Sequence, residues 1–158
     1  MKNPANRDIA ALAGLQALCF IALTQLEPRF FAIHLYQLIP YIGILMFLAY
    51  HKERWAYMVG PMVSVAWLLL AYAAGLLDSA VIHLRTFGSL GISASAVAFL
   101  AITTAVIAVV MILRCRVHWM REFGGRGLAR TTFLISFAIV AGYYAILLHW
   151  FWDMIPSA

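Results

Sequence analysis

Arg114–Arg130, RCRVHWMREFGGRGLAR, carries Arg114, Arg116, Arg121, Arg126 and Arg130 between two long apolar runs. A short arginine-rich connection between membrane-crossing segments stays on the cytoplasmic side, because carrying its cations across the bilayer is unfavourable. The stretch therefore serves as a topology anchor: it predicts a polytopic, all-α integral membrane protein and says which way round it lies. Composition agrees. The chain has 158 residues, 65% hydrophobic and only 11% charged, with a mean hydropathy of +0.93, which excludes an ordinary soluble domain. Its net charge of +5 is carried in turns beside apolar segments. Cations placed there point to orientation and anionic headgroups, not to nucleic acid.

On the amino-terminal side of the anchor lies a span over 92–113 in which Ala94, Ala98, Ala101, Ala105 and Ala108 recur at spacings of four and three. Such a row of small side chains down one helix face suits close packing of a neighbour. On its carboxyl side a span over 131–152 ends in His149-Trp150-Phe151-Trp152-Asp153, an aromatic interface anchor. Three further apolar runs complete the set, over 9–26, 30–50 and 55–77. Asp8 in the would-be basic region, and no small-x-small site before Glu27, predict that the first is an uncleaved helix and not a secretory signal. Pro40 in the second removes one backbone hydrogen bond and predicts a kink. Residues 78–91, DSAVIHLRTFGSLG, are too short and too polar to cross. They predict a short interfacial helix, capped by Asp78 or Ser79, between spans three and four.

These five spans form one transmembrane domain covering 1–158, with no linker or internal repeat. Placing Lys2, Arg7, Lys52, Arg54 and the arginines of the anchor inside leaves only Arg29 and Arg85 outside. The amino terminus is thus expected in the cytoplasm and the carboxyl terminus outside, most simply in a bacterial cytoplasmic membrane.

With sides assigned, His34, His83 and His149 fall outside with Glu27, Asp78 and Asp153, whereas His51 and His118 fall inside. His34 and His149 each lie about one turn from the outer end of their span. Two imidazoles at one depth on different helices suit the two axial positions of a haem, or each can ligate a chlorophyll-type magnesium. A stacked two-haem arrangement is disfavoured, because His34 and His51 are 51 − 34 = 17 positions apart, about 100° around a helix. The outer histidines and carboxylates match no recognised metal-ligand spacing such as HExxH. Cys19 and Cys115 lie at different depths and form no CxxC, which argues for two thiols used in packing.

The span interiors hold no Asp, Glu, Lys or Arg, which disfavours a proton-coupled transporter or pump. No nucleophile elbow or phosphate-binding loop is present. The resulting expectation is a non-catalytic integral subunit of a larger membrane complex, in photosynthetic or respiratory electron transfer, partnered by other integral subunits and lipid. In that role it would hold a haem, a chlorophyll or carotenoid pigment, or bound lipid. One alternative is a haem-b-type electron-transfer protein ligated by His34 and His149. Another is a small facilitator or channel, whose pore would need the buried Gln, Ser and Thr side chains on one lumen.

Overall fold

The computed structural model describes residues 4–85, 92–123 and 129–151. Among these the chain is all helix: α1 Pro4–Leu26, a 3-10 turn Pro28–Phe30, α2 Phe31–Ala49, α3 Glu53–Ala73, α4 Leu76–Arg85, α5 Ile92–Phe123 and α6 Ala129–Phe151. Five of these stretches, α1, the turn with α2, α3, α5 and α6, are long and apolar enough to cross a membrane. The ten-residue α4 is not.

Three boundaries differ from the sequence reading. The third span ends at Ala73, not Leu77, because Gly75 takes a left-handed φ of 64° just past the helix cap. Glycine occupies that conformation without a Cβ clash, and the chain reverses there. The short helix consequently begins at Leu76, and Asp78 lies in its first turn without capping it. The larger difference concerns the anchor. Its first ten residues, 114–123, are not loop but the end of α5, which runs unbroken for 32 residues. Arg, Met and Glu are good helix formers, and no glycine or proline occurs before Gly124. At 1.5 Å per residue α5 is about 48 Å long, longer than a hydrocarbon core of about 30 Å. Arg130 lies in the first turn of α6, and Arg126 falls outside the described residues.

The helices pack as α1 against α2 and α5, α3 against α5 and α6, and α4 along α5 and the end of α3. Phe20, Tyr41 and Trp67 join α1, α2 and α3 at the centre, with Phe20 stacked on Tyr41 at 5.7 Å and edge-on to Trp67 at 6.2 Å. Gly60 sets the closest approach of α3 to α5: a Cβ built on it would stand 3.1 Å from the Cys115 sulfur. The two cysteines are free and buried. α6 docks through one narrow stripe, Thr132, Ser136, Val140, Tyr144 and Leu147, and exposes apolar side chains around it, including Phe133, Leu134, Phe137 and Ile139.

Pro40 lies inside α2, which continues through it as a single helix. Proline has no N–H to give the carbonyl four residues back, and in hydrocarbon that carbonyl needs another donor. Tyr143 of α6 provides it, donating its hydroxyl to the Tyr36 carbonyl. The Tyr36 hydroxyl in turn reaches the Tyr143 carbonyl at 3.2 Å, and the two rings stack at 4.3 Å. A defect written into α2 therefore becomes a contact between α2 and α6.

Candidate functional site

Each helix that reaches the end of the bundle opposite the arginine segment turns one face toward a shared space. α1 contributes Phe20 and Leu23, Glu27 follows just past its end, and α2 with the turn before it contributes Phe30, Ile33, His34 and Gln37. α3 and its cap add Trp67, Leu70, Ala71 and Ala74, α4 adds Leu76, Ser79, Ala80 and His83, and α5 adds Ala94, Val97, Ala98 and Ala101. The spacings of three, four and seven are those of a single helix face. Between them lies a cavity of about 550 Å³, which Leu147 of α6 also lines. That volume is in the range that holds small ligands. Its wall is mostly apolar, and the exposed Leu76 and Ser79 mark where it meets the surface.

A few polar side chains interrupt that wall. The His34 Nε2 lies 3.3 Å from Glu27 Oε2. A carboxylate only accepts, so the imidazole donates from Nε2, and in the neutral ring Nδ1 is then an acceptor. That Nδ1 is buried and has no hydrogen-bond partner among the described residues. The His83 Nδ1 lies 2.7 Å from the Ser79 carbonyl, one turn back along α4. A carbonyl likewise only accepts, so Nδ1 donates and Nε2 carries the lone pair. Glu27 is the one side chain of fixed charge in the lining, which includes no lysine or arginine among the described residues.

Of the three histidines expected on the outer side, the structure brings His34 and His83 to one cavity, together with Glu27. His149 is exposed, lies edge-on to Trp150 at 6.0 Å, and is not among the lining residues. Asp153 and Trp152 fall outside the described residues, and Asp78 is exposed. Of the alanine row, Ala94, Ala98 and Ala101 line the cavity, Ala105 is half-buried against the core and Ala108 is buried. Gln16, Ser64, Thr104 and Ser136 are each fully buried and none lines the cavity. The Gln16 amide donates to the Thr104 carbonyl at 3.4 Å.

A second polar cluster, not foreseen from the residue pattern, joins α1, α3 and α5 near the arginine-bearing end of α5. The buried Tyr57 hydroxyl donates to Asn6 Oδ1 at 2.6 Å and lies 3.4 Å from Glu122 Oε1, while the Asn6 amide donates to Glu53 Oε1 at 3.1 Å. Asp8 faces Arg114 at 3.6 Å and the buried His118 at 4.0 Å. No group of three or more His, Cys, Asp or Glu among the described residues is placed to hold a metal ion.

Gln37 and Ser79 entered the site unannounced. His34 with Gln37, and Ser79 with His83, stand at i, i+3 and i, i+4, so a face-by-face search for polar pairs on the two helices would have found them. The joining of His34 to Glu27 crosses the break at Pro28, and periodicity does not carry across such a break. No protein-family model, curated protein or solved structure matches the chain.

Proposed function

We propose that this chain is a non-catalytic integral membrane subunit that holds an amphipathic ligand, a lipid or a pigment, in the cavity at the Glu27 end of its bundle. One observation carries this reading: a largely apolar space of about 550 Å³ whose wall includes a few polar side chains, Glu27, His34, Gln37, Ser79 and His83. Apolar walls with a few convergent polar groups are what an amphipath needs, since its chain loses water while its head keeps its hydrogen bonds. The wider role, as part of a photosynthetic or respiratory electron-transfer assembly, is supported by the outer surface. α6 buries only a stripe and offers the remainder of its apolar face to lipid or to neighbouring helices.

The orientation belongs to the same proposal. The Asn6–Tyr57–Glu122 contacts hold the amino-terminal helix and the arginine-bearing end of α5 together, and the excess of arginine there favours the cytoplasm. The aromatic carboxyl end of α6 meets α2 near Tyr36, with Phe151 5.9 Å from that ring, so the carboxyl terminus lies outside and α4 rests at the outer interface.

Extraction from native membranes in lipid-bilayer discs tests the reading, with particle mass, visible spectrum and extracted lipid recorded together. A stoichiometric ligand, lost when Ala98→Phe fills the cavity, is expected in a particle larger than the single chain. A colourless monomer with an empty lipid extract refutes the proposal. The same spectrum tells a haem or pigment from a colourless lipid.

A further inference from the structure

The polar groups around the cavity also say what kind of head its ligand carries. Glu27 can only accept hydrogen bonds, and His34 engages just one of its oxygens, Oε2, at 3.3 Å; a carboxylate has about four lone-pair sites, so most remain for a ligand. The side chain is 31% exposed, at the boundary between cavity and surface. Gln37, buried and in the lining, can donate or accept. Arg29, the cation nearest in sequence to Glu27, stands over the Phe30 ring at 5.7 Å and is not in the lining. Among the described residues the lining therefore holds one fixed negative charge, on Glu27, and no lysine or arginine to neutralise an anion.

We infer that the cavity selects amphipaths whose head donates hydrogen bonds and bears no negative charge, a long-chain alcohol or amine, and rejects fatty acids, phosphates and sulfates. This rests on the cavity being a binding site, as proposed above. His34 acts as a positioning residue, holding the Glu27 carboxylate toward the incoming head. Discrimination against an anionic head should be about tenfold, since two like charges a few ångströms apart repel appreciably at a protein boundary but the exposure of Glu27 screens part of the effect.

Trp67 lines the cavity and is 5% exposed, so its fluorescence reports occupancy. The full chain in bilayer discs is titrated at neutral pH with three bromine-tipped undecyl probes, the alcohol, the amine and the sulfate ester. Quenching that disappears in Trp67→Phe is the cavity signal, which separates it from lipid-facing Trp150. The alcohol and the amine are expected to quench at concentrations about tenfold below the sulfate. Glu27→Gln should bring the sulfate within about twofold of the alcohol, and Glu27→Lys should reverse the order. Equal or tighter binding of the sulfate to the wild type overturns the inference, and so does an unchanged order in Glu27→Gln, a near-isosteric variant at a half-exposed position. If none of the three probes quenches Trp67 in the wild type, the cavity reading falls with it.

Discussion

Tyr143→Phe removes a single hydroxyl, and the structure says what that hydroxyl is for. Pro40 leaves the Tyr36 carbonyl without its helical donor, and Tyr143 donates to it across the α2–α6 contact. The phenylalanine ring keeps the stacking on Tyr36, 4.3 Å between centroids, so the perturbation is confined to the hydrogen bond. Side-chain bonds between membrane helices average about 0.6 kcal/mol and reach about 1.7 kcal/mol. The upper part of that range applies, because the alternative is an orphan carbonyl facing hydrocarbon, itself unfavourable by about 1–3 kcal/mol. Tyr143→Phe should therefore destabilise the bundle by about 1–2 kcal/mol. The decisive measurement is a double-mutant cycle with Pro40→Ala. Alanine restores an N–H at position 40, the carbonyl regains an intrahelical donor, and the cost of Tyr143→Phe should fall below about 0.5 kcal/mol. Unfolding free energies from steric trapping in bicelles give all four corners. Equal costs of Tyr143→Phe in the two backgrounds would refute the link between the proline and the tyrosine.

Other substitutions probe the packing and the polar groups away from the cavity. Gly60→Val should destabilise by about 1–3 kcal/mol through overpacking against Cys115, whereas Gly14→Ala, with nothing within 4 Å of its added Cβ, should be neutral or gain up to about 1 kcal/mol of helix propensity; thermal unfolding in detergent that ranks them the other way contradicts the close approach of α3 to α5. Tyr57→Phe should cost about 1–3 kcal/mol by stranding the buried Asn6 amide oxygen, and limited proteolysis should then cut first near the amino-terminal end of α1. Gln16→Leu gives up a 3.4 Å bond to the Thr104 carbonyl and a side-chain contact with the buried Tyr41 hydroxyl, so it should destabilise by about 1–3 kcal/mol; an unchanged thermal midpoint would show that the amide does not hold these groups together. A periplasm-dependent reporter fused after Ala158 should be active and one fused before Met1 silent, as the arginine-rich segment requires.

Where the spans lie was legible because a bilayer allows few solutions. Backbone groups must be paired inside each segment, so a run of about 20 apolar residues reads as a helix whatever its neighbours do. The ends were less legible, since helix propensity continues past the apolar stretch: Leu113 ends the hydrophobic run, but the Arg, Met and Glu that follow keep α5 helical to Phe123. Gly75 acts as the stop after α3, and a reading that followed hydropathy alone ran past it to Leu77.

The candidate site was half visible. Orientation grouped His34, His83 and Glu27 at one end of the molecule, and the structure sets all three around one cavity. His149 shared their end but stands exposed on α6, a difference of helix rotation that depth cannot report. The alanine row shows the same limit. Small side chains on one face permit a neighbour to come close or leave a space, and Ala94, Ala98 and Ala101 border a space whereas Ala108 is buried.

Composition and the order of apolar runs, then, determined the helical class, the number of membrane-long segments and the separation of an arginine-rich end from a histidine-bearing one. Those are properties of each segment against its solvent, and they need no partner. Only the tertiary structure decided that Tyr143 answers the proline in α2, that Tyr57 gathers Asn6 and Glu122, and that His34 turns to Glu27 beside a cavity. Each depends on the rotation and lateral order of helices. Hydrocarbon is indifferent to how apolar faces are turned, so those choices come from close packing and from a few polar atoms that must find partners away from water.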